Sequence, residues 1–201
     1  MGNTIGITVF EGAEELDFVG PWEVFTASAG LLERAGADPD RVVLVAADTG
    51  PVRCGKGLRV LPDATFADHP ALDVLLVPGG RGTRRGAEDP QLLGWIAATA
   101  ARATWVTSVC TGSLLLFVSG VGKGRRLATH WGFEDQLAAL GADVVRDARW
   151  VRDGNVVSSQ GVSAGIDMSL WLVGQLHSPA HARATQRFMQ YDPAPPYAAD
   201  V

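Results

Sequence analysis

Val106-Thr107-Ser108-Val109-Cys110-Thr111-Gly112-Ser113-Leu114 passes from a β-rich run into a helix-like one, with a cysteine at the step. A strand that turns sharply into a helix through small residues holds the turn side chain clear of the backbone, which is how a nucleophile elbow presents its reactive atom. The helix that follows would aim unpaired amides and the positive end of its dipole at the sulfur, favouring thiolate over thiol. The competing reading is plain burial, since a free cysteine usually behaves as a small hydrophobe. Thr111, Gly112 and Ser113 weigh against it: they are poor core formers placed where a helix must approach a strand, and glycine permits that approach.

Outward from this step, the chain alternates strand and helix. Trp105–Val109 reads as a strand fed by a helix over Pro90–Arg102, and Val74–Val77 as a short strand ending in Pro78-Gly79-Gly80. Upstream, Ile5–Phe10 reads as a buried strand, Asp17–Gly20 as a loop, and Pro21 as the first residue of a helix. Arg41–Ala47 is a further strand, and Val52–Cys54 with Leu58–Val60 flank Gly55-Lys56-Gly57 as a hairpin. Downstream come a break at Gly120–Gly124, a helix over His130–Leu140, strand-like segments at Val144-Val145 and Val156-Val157, and a turn at Asp153-Gly154-Asn155. Ser163 is placed to cap a helix through Leu176, Pro179 to start another reaching Gln190, and Asp192–Pro196 to run extended. This rhythm predicts one α/β domain over residues 1–201 built on a parallel sheet.

Composition agrees with one sizeable core: the chain has 201 residues, 47% of them hydrophobic. With 17 Lys and Arg against 22 Asp and Glu, nothing attracts it to a polyanion, so no nucleic-acid partner is expected. No apolar stretch reaches the ~20 residues that span a bilayer and no leader precedes the first strand, so a cytoplasmic protein without a membrane partner is expected. Cys54 and Cys110 are too few for a disulfide framework and lack zinc-site spacing, so no metal is expected. The glycine-rich stretches Gly80–Gly86 and Gly122–Gly124 match neither a dinucleotide fingerprint nor a phosphate loop.

Two further places bear on chemistry. Gly79 and Gly80 lie at the carboxyl end of a parallel strand, where open α/β sheets bind ligands, and their amides could face a developing negative charge; an ordinary tight strand exit is the alternative. Asp17 lies between Leu16 and Phe18, where an ionised carboxylate loses solvation and burial raises its pKa. It stands too far from the helix start at Pro21 to cap it, and an exposed loop position is the alternative. Buried beside the sulfur, Asp17 would carry the proton that thiol addition requires.

With Leu16-Asp17, Gly20-Pro21, Asp73-Val74, Val77–Gly80, Val106–Ser113, Ala128-Thr129-His130-Trp131, Val151–Asn155, Gly165-Ile166-Asp167 and Ala194-Pro195-Pro196 taken together, nearly the whole chain resembles the ThiJ/PfpI superfamily of class I glutamine amidotransferase-like folds, and within it the isonitrile hydratase subgroup. That resemblance implies a flavodoxin-like parallel sheet sandwiched between helices, a homodimer, a small-molecule substrate, and no cofactor. It also implies that Cys110 attacks the terminal carbon of R–N≡C, that Asp17 is general acid and base, that Thr111 helps hold substrate or water, and that amides at Gly79, Gly80 and Thr111 are oxyanion-type donors. Water would then release an N-substituted formamide. Phe117–Gly124 departs from the alanine-rich stretch of the subgroup, and a phenylalanine there would be expected to reshape the pocket wall.

Thr111 stands where the peptidase-like members carry histidine. His130 is the available substitute, although beside Trp131 an imidazole more often satisfies a structural hydrogen bond. Cys54 reads as packing, and Asp167 as compensation of a helix dipole. Two other functions use the same thiol: a glyoxalase- or deglycase-like activity on α-oxoaldehydes, and a ligand- or redox-sensing module. The related regulators carry an additional helix-turn-helix domain, and with the sequence ending at Val201, just past the Pro-rich tail, the regulator reading is the lesser expectation.

Overall fold

In a computed structural model, residues 2–194 are described. The amino-terminal half runs β1 (Thr4–Thr8), α1 (Glu15–Arg34), β2 (Arg41–Ala46), the short strands β3 (Val52–Arg53), β4 (Arg59–Val60) and β5 (Ala64–Thr65), then β6 (Val74–Val77), α2 (Thr83–Gly86) and α3 (Pro90–Ala100). The carboxyl half runs β7 (Trp105–Val109), α4 (Gly112–Val118), β8 (Arg126–Leu127), a 3-10 turn (Trp131–Phe133), α5 (Glu134–Ala139), β9 (Asp143–Val144), β10 (Trp150–Asp153), β11 (Val156–Ser159), α6 (Ala164–Leu176) and α7 (Pro179–Phe188).

Seven strands form one sheet in the order β10-β11-β7-β6-β1-β2-β5, parallel throughout except for the β10–β11 pair. All four residues of β6 are buried, as required of a parallel strand covered on both faces. Val74 and Leu76 face α1 and α6, packing with Phe18, Phe25 and Met168. Leu75 and Val77 face α3 and α4, packing with Ile96, Leu115 and Leu116. This is a mostly parallel central sheet between two helical layers, the α/β architecture that the strand–helix rhythm predicts. Among the described residues no helix is long and apolar enough to cross a membrane.

Two expectations about the first helix give way. The helix starts at Glu15, so Asp17 lies in its first turn rather than in a loop, and Pro21 lies inside the helix. A proline there forfeits the bond from its own nitrogen to the Asp17 carbonyl. Gly20 before it has no Cβ to meet the proline ring, which relieves the clash that normally ends a helix at that point. The segment 130–140 is likewise divided, into a 3-10 turn and α5, with His130 outside both. Ser163 makes no capping hydrogen bond; its hydroxyl instead accepts from the Arg149 guanidinium at 3.3 Å. Of the tail, Pro195 and Pro196 lie outside the described residues.

Candidate active site

Cys110 follows β7 directly and takes a left-handed backbone, φ 57°, a conformation that costs a non-glycine residue about 1–3 kcal/mol and persists only where the surroundings enforce it. They do so here. Its amide is shared between the Ser159 and Gln160 carbonyls, both at 3.2 Å, and its own carbonyl accepts from Ser113 Oγ at 3.0 Å and Thr129 Oγ1 at 3.1 Å. A Cβ on Gly112 would stand 2.1 Å from the Val77 carbonyl oxygen, so only glycine lets α4 start this close to the end of β6.

Asp17 arrives from the first turn of α1, which follows β1, Gly79 from the end of β6 and Cys110 from the end of β7, the three adjacent central strands. Asp17 has no solvent exposure. Its Oδ2 accepts from the Gly79 amide at 2.8 Å, while Oδ1 is buried without a hydrogen-bond partner. Burial raises the carboxyl pKa to about 7, and the nearby Glu14 carboxylate adds to that rise. The Gly79 amide, the Cys110 thiol and the Lys56 ammonium act in the opposite direction. Lys56, at the tip of the β3–β4 hairpin, is ion-paired with Glu14.

The thiol does not behave as the elbow pattern alone suggests. Burial, and then the Asp17 charge, push Cys110 up to about 12, against the amide and hydroxyl of Thr111 and the Val162 amide, which favour the thiolate. The helix that was to favour the thiolate is only seven residues long, and removing the sulfur from water beside a carboxylate outweighs it. The site therefore holds a thiol next to a buried carboxyl group.

Thr111 is also buried, but its hydroxyl is engaged. It accepts from the Gly80 amide at 3.0 Å and lies 3.2 Å from Thr83 Oγ1. The amides of Gly79 and Gly80 thus hold Asp17 and Thr111 in place instead of standing free as oxyanion donors. A Cβ on Gly79 would lie 2.5 Å from the Thr111 nitrogen and 2.8 Å from both Asp17 Oδ2 and Thr111 Oγ1. His130 caps the 3-10 turn, its Nδ1 accepting from the Gly132 amide at 3.1 Å, and leans on the exposed Trp131. Phe117 packs into the apolar core among Leu116, Leu114 and Leu137.

Sequence reasoning missed Thr83 and Val162. Thr83 is fully buried, and its hydroxyl bridges the Gly80 carbonyl at 2.8 Å and Thr111. Val162 has φ 54°, and nothing local marks a β-branched residue for a left-handed backbone. Among the described residues no group of three or more His, Cys, Asp and Glu side chains is arranged to hold a metal ion.

Residues 3–175 match the model of the DJ-1/PfpI family. The chain belongs to that family. It is 42% identical to isonitrile hydratase of Pseudomonas putida over 197 residues, which is 98% of this chain and 82% of the relative. The glutathione-independent glyoxalase DJR-1.2 of Caenorhabditis elegans is 25% identical over 84% of this chain and 86% of its own. Among solved structures, a ThiJ/PfpI family protein from Pseudomonas syringae superposes with a TM-score of 0.90 at 36% identity, covering 100% of this chain and 80% of that one.

Proposed function

We propose that this DJ-1/PfpI protein is an enzyme that hydrates isonitriles to N-substituted formamides through a covalent intermediate on Cys110. The reading is carried by one observation: a fully buried Asp17 with a pKa of about 7 sits against the Cys110 thiol. A carboxyl group poised near neutrality can take a proton and return it in the same cycle. Likeness to the isonitrile hydratase supports the choice of substrate.

In the first step the Asp17 carboxylate takes the thiol proton as sulfur bonds to the terminal carbon of R–N≡C. That proton passes from Asp17 to the same carbon, giving the thioimidate R–N=CH–S–Cys110. Water then adds to this carbon, with Asp17 accepting one proton and the imine nitrogen receiving one. Collapse breaks the C–S bond and releases R–NH–CHO, and Asp17 returns a proton to the sulfur. The sum is R–N≡C plus H2O giving R–NH–CHO, with water as the sole co-reactant. Thr111, held by Gly80 and Thr83, directs its amide and hydroxyl at the sulfur and steadies the thiolate as it leaves. In this reading the enzyme is a cytoplasmic homodimer acting on a small molecule.

The test is incubation of purified protein with a panel of alkyl and aryl isonitriles, following formamide by NMR. Wild type converts at least some of the panel and Cys110→Ala converts none. Inactivity across the panel defeats the reading. The glyoxalase-like alternative, favoured by the resemblance to the nematode glyoxalase, is scored in the same experiment by lactate formation from methylglyoxal.

A further inference from the structure

We propose that the crevice outside the carboxyl ends of β1 and β2 is a second ligand site, taking a small molecule with an apolar body and a protonated amine. The crevice encloses about 320 Å3, within the range of small-molecule sites. Its floor is apolar, formed by Val9, Phe10, Ala46, Val52, Phe66 and Leu92. Phe66 is fixed by stacking on Trp95, ring centroids 4.4 Å apart, and the strand ends beneath are part of the sheet, so the walls cannot relax to fill the space.

The place is one where open α/β sheets bind ligands. It lies at the carboxyl ends of the parallel strands, walled by Phe10 and Glu11 after β1, by Ala47 and Asp48 after β2, and by Arg85 and Leu92 of α2 and α3. This crevice is separate from the Cys110 site. The Gly82 amide donates to the Gly12 carbonyl at 3.0 Å, and a Cβ on Gly82 would lie 2.0 Å from the Glu11 carbonyl oxygen. These backbones close a wall against the turn that leads to Asp17, and none of Asp17, Gly79, Cys110 and Thr111 lines the crevice.

Charge sets the class of ligand. Three carboxylates, Glu11, Asp48 and Asp89, line the crevice with one guanidinium, Arg85, an excess of two negative charges. Each carboxylate is held by backbone amides through one oxygen: Glu11 by Arg53 at 2.8 Å, Asp48 by Gly50 at 2.7 Å, and Asp89 by Gln91 at 2.9 Å and Leu92 at 3.3 Å. Their second oxygens make no hydrogen bond and no ion pair among the described residues, Arg85 included. Fixed, uncommitted carboxylates above an apolar floor complement an ammonium group on a hydrocarbon body, whereas an anion would meet all three.

Calorimetric titration of the intact protein at pH 7 and low salt, with benzylamine, benzyl alcohol and benzoate, tests this. Benzylamine should bind saturably, benzyl alcohol about fivefold more weakly for want of the charge, and benzoate not measurably. Asp48→Asn keeps the contact to Gly50 and should weaken benzylamine about three- to fivefold. Ala47→Trp, at the exposed rim, should weaken it by about tenfold or more by filling the opening. Cys110→Ala should bind benzylamine as the wild type does. Equal binding of benzyl alcohol, preference for benzoate, no saturable binding of benzylamine, or loss of binding in Cys110→Ala would each overturn the proposal. Formamide production plays no part in these readouts, so they stand or fall apart from the chemistry at Cys110.

Discussion

The Gly79 amide donates to Asp17 Oδ2 at 2.8 Å and leaves Oδ1 buried with no hydrogen-bond partner. One held oxygen fixes the carboxyl group in space, and removal from water keeps it near neutrality, because a buried carboxylate with few donors is costly to ionise.

Asp17 governs the pH profile of the hydration. With its pKa at about 7, the base form grows as pH rises through that value, so kcat/KM should climb to a plateau above about pH 7. Asp17→Asn should lower kcat by about 10²- to 10⁴-fold and erase the inflection. A wild-type profile flat from pH 5 to 9 would sink this assignment.

The same group should weaken the fold at high pH. Its folded pKa is raised from 3.8 to about 7, so between those values the folded chain binds more protons than the unfolded chain and stability falls as pH rises. Above about pH 7 the whole penalty applies, at most about 4 kcal/mol at ~1.36 kcal/mol per pH unit. Asp17→Asn should therefore show a higher urea midpoint than wild type at pH 8 and a similar one at pH 4.

Gly79→Ala should cost activity more than stability. The new methyl would fall within 2.8 Å of both Asp17 Oδ2 and Thr111 Oγ1, forcing apart the groups that face Cys110. Overpacking of this kind destabilises by about 1–3 kcal/mol, while displacement of the acid–base group by about 1 Å should cost about 10²-fold in kcat. Near-normal turnover with a normal melting temperature would show that the loop shifts freely.

Val162→Gly should relieve strain. A β-branched residue at φ 54° carries about 1–2 kcal/mol that glycine does not, partly offset by about 0.4–1 kcal/mol of added freedom in the unfolded chain. The melting temperature should stay level or rise, and activity should survive because the amide that favours the Cys110 thiolate is kept. A marked fall in both would mean that the isopropyl group itself packs against substrate or sulfur.

The carboxyl-terminal helices should loosen in acid. His181 Nε2 lies 2.9 Å from Ser28 Oγ on α1, and His177 Nε2 lies 2.7 Å from Asp40 Oδ2. Burial, then His177, hold the His181 pKa below its ordinary 6.5. A depressed histidine means that the fold prefers the neutral ring: its contribution is fully present above about pH 6.5 and fades as pH falls below it. His181→Gln should lose less stability than wild type between pH 7 and 5, measured as the shift in urea midpoint; equal losses would refute the assignment.

Much of the scaffold was legible because burial on both faces leaves a plain trace. The strand at Trp105–Val109 and the strand at Val74–Val77 have the bounds that the β-rich runs predict, and the hairpin around Gly55-Lys56-Gly57 follows from its glycines. The first helix was misread because Pro21 looks like a starting residue. Its tolerance inside a helix depends on Gly20, whose missing Cβ also makes room for Ile166, 3.0 Å from where that atom would be.

By itself, then, the sequence determined the alternation of strand and helix, the cysteine at its central step and an aspartate between apolar neighbours after the first strand, since each is a matter of local pattern and side-chain chemistry. Tertiary structure alone decided that these two meet, that the Gly79 and Gly80 amides are spent on holding Asp17 and Thr111, and that the sulfur rests as a thiol rather than a thiolate. The reason is physical: proton affinity follows solvent exclusion and the charges packed nearby, and those come from β1, β6 and β7 lying side by side although Asp17 and Cys110 are far apart along the chain.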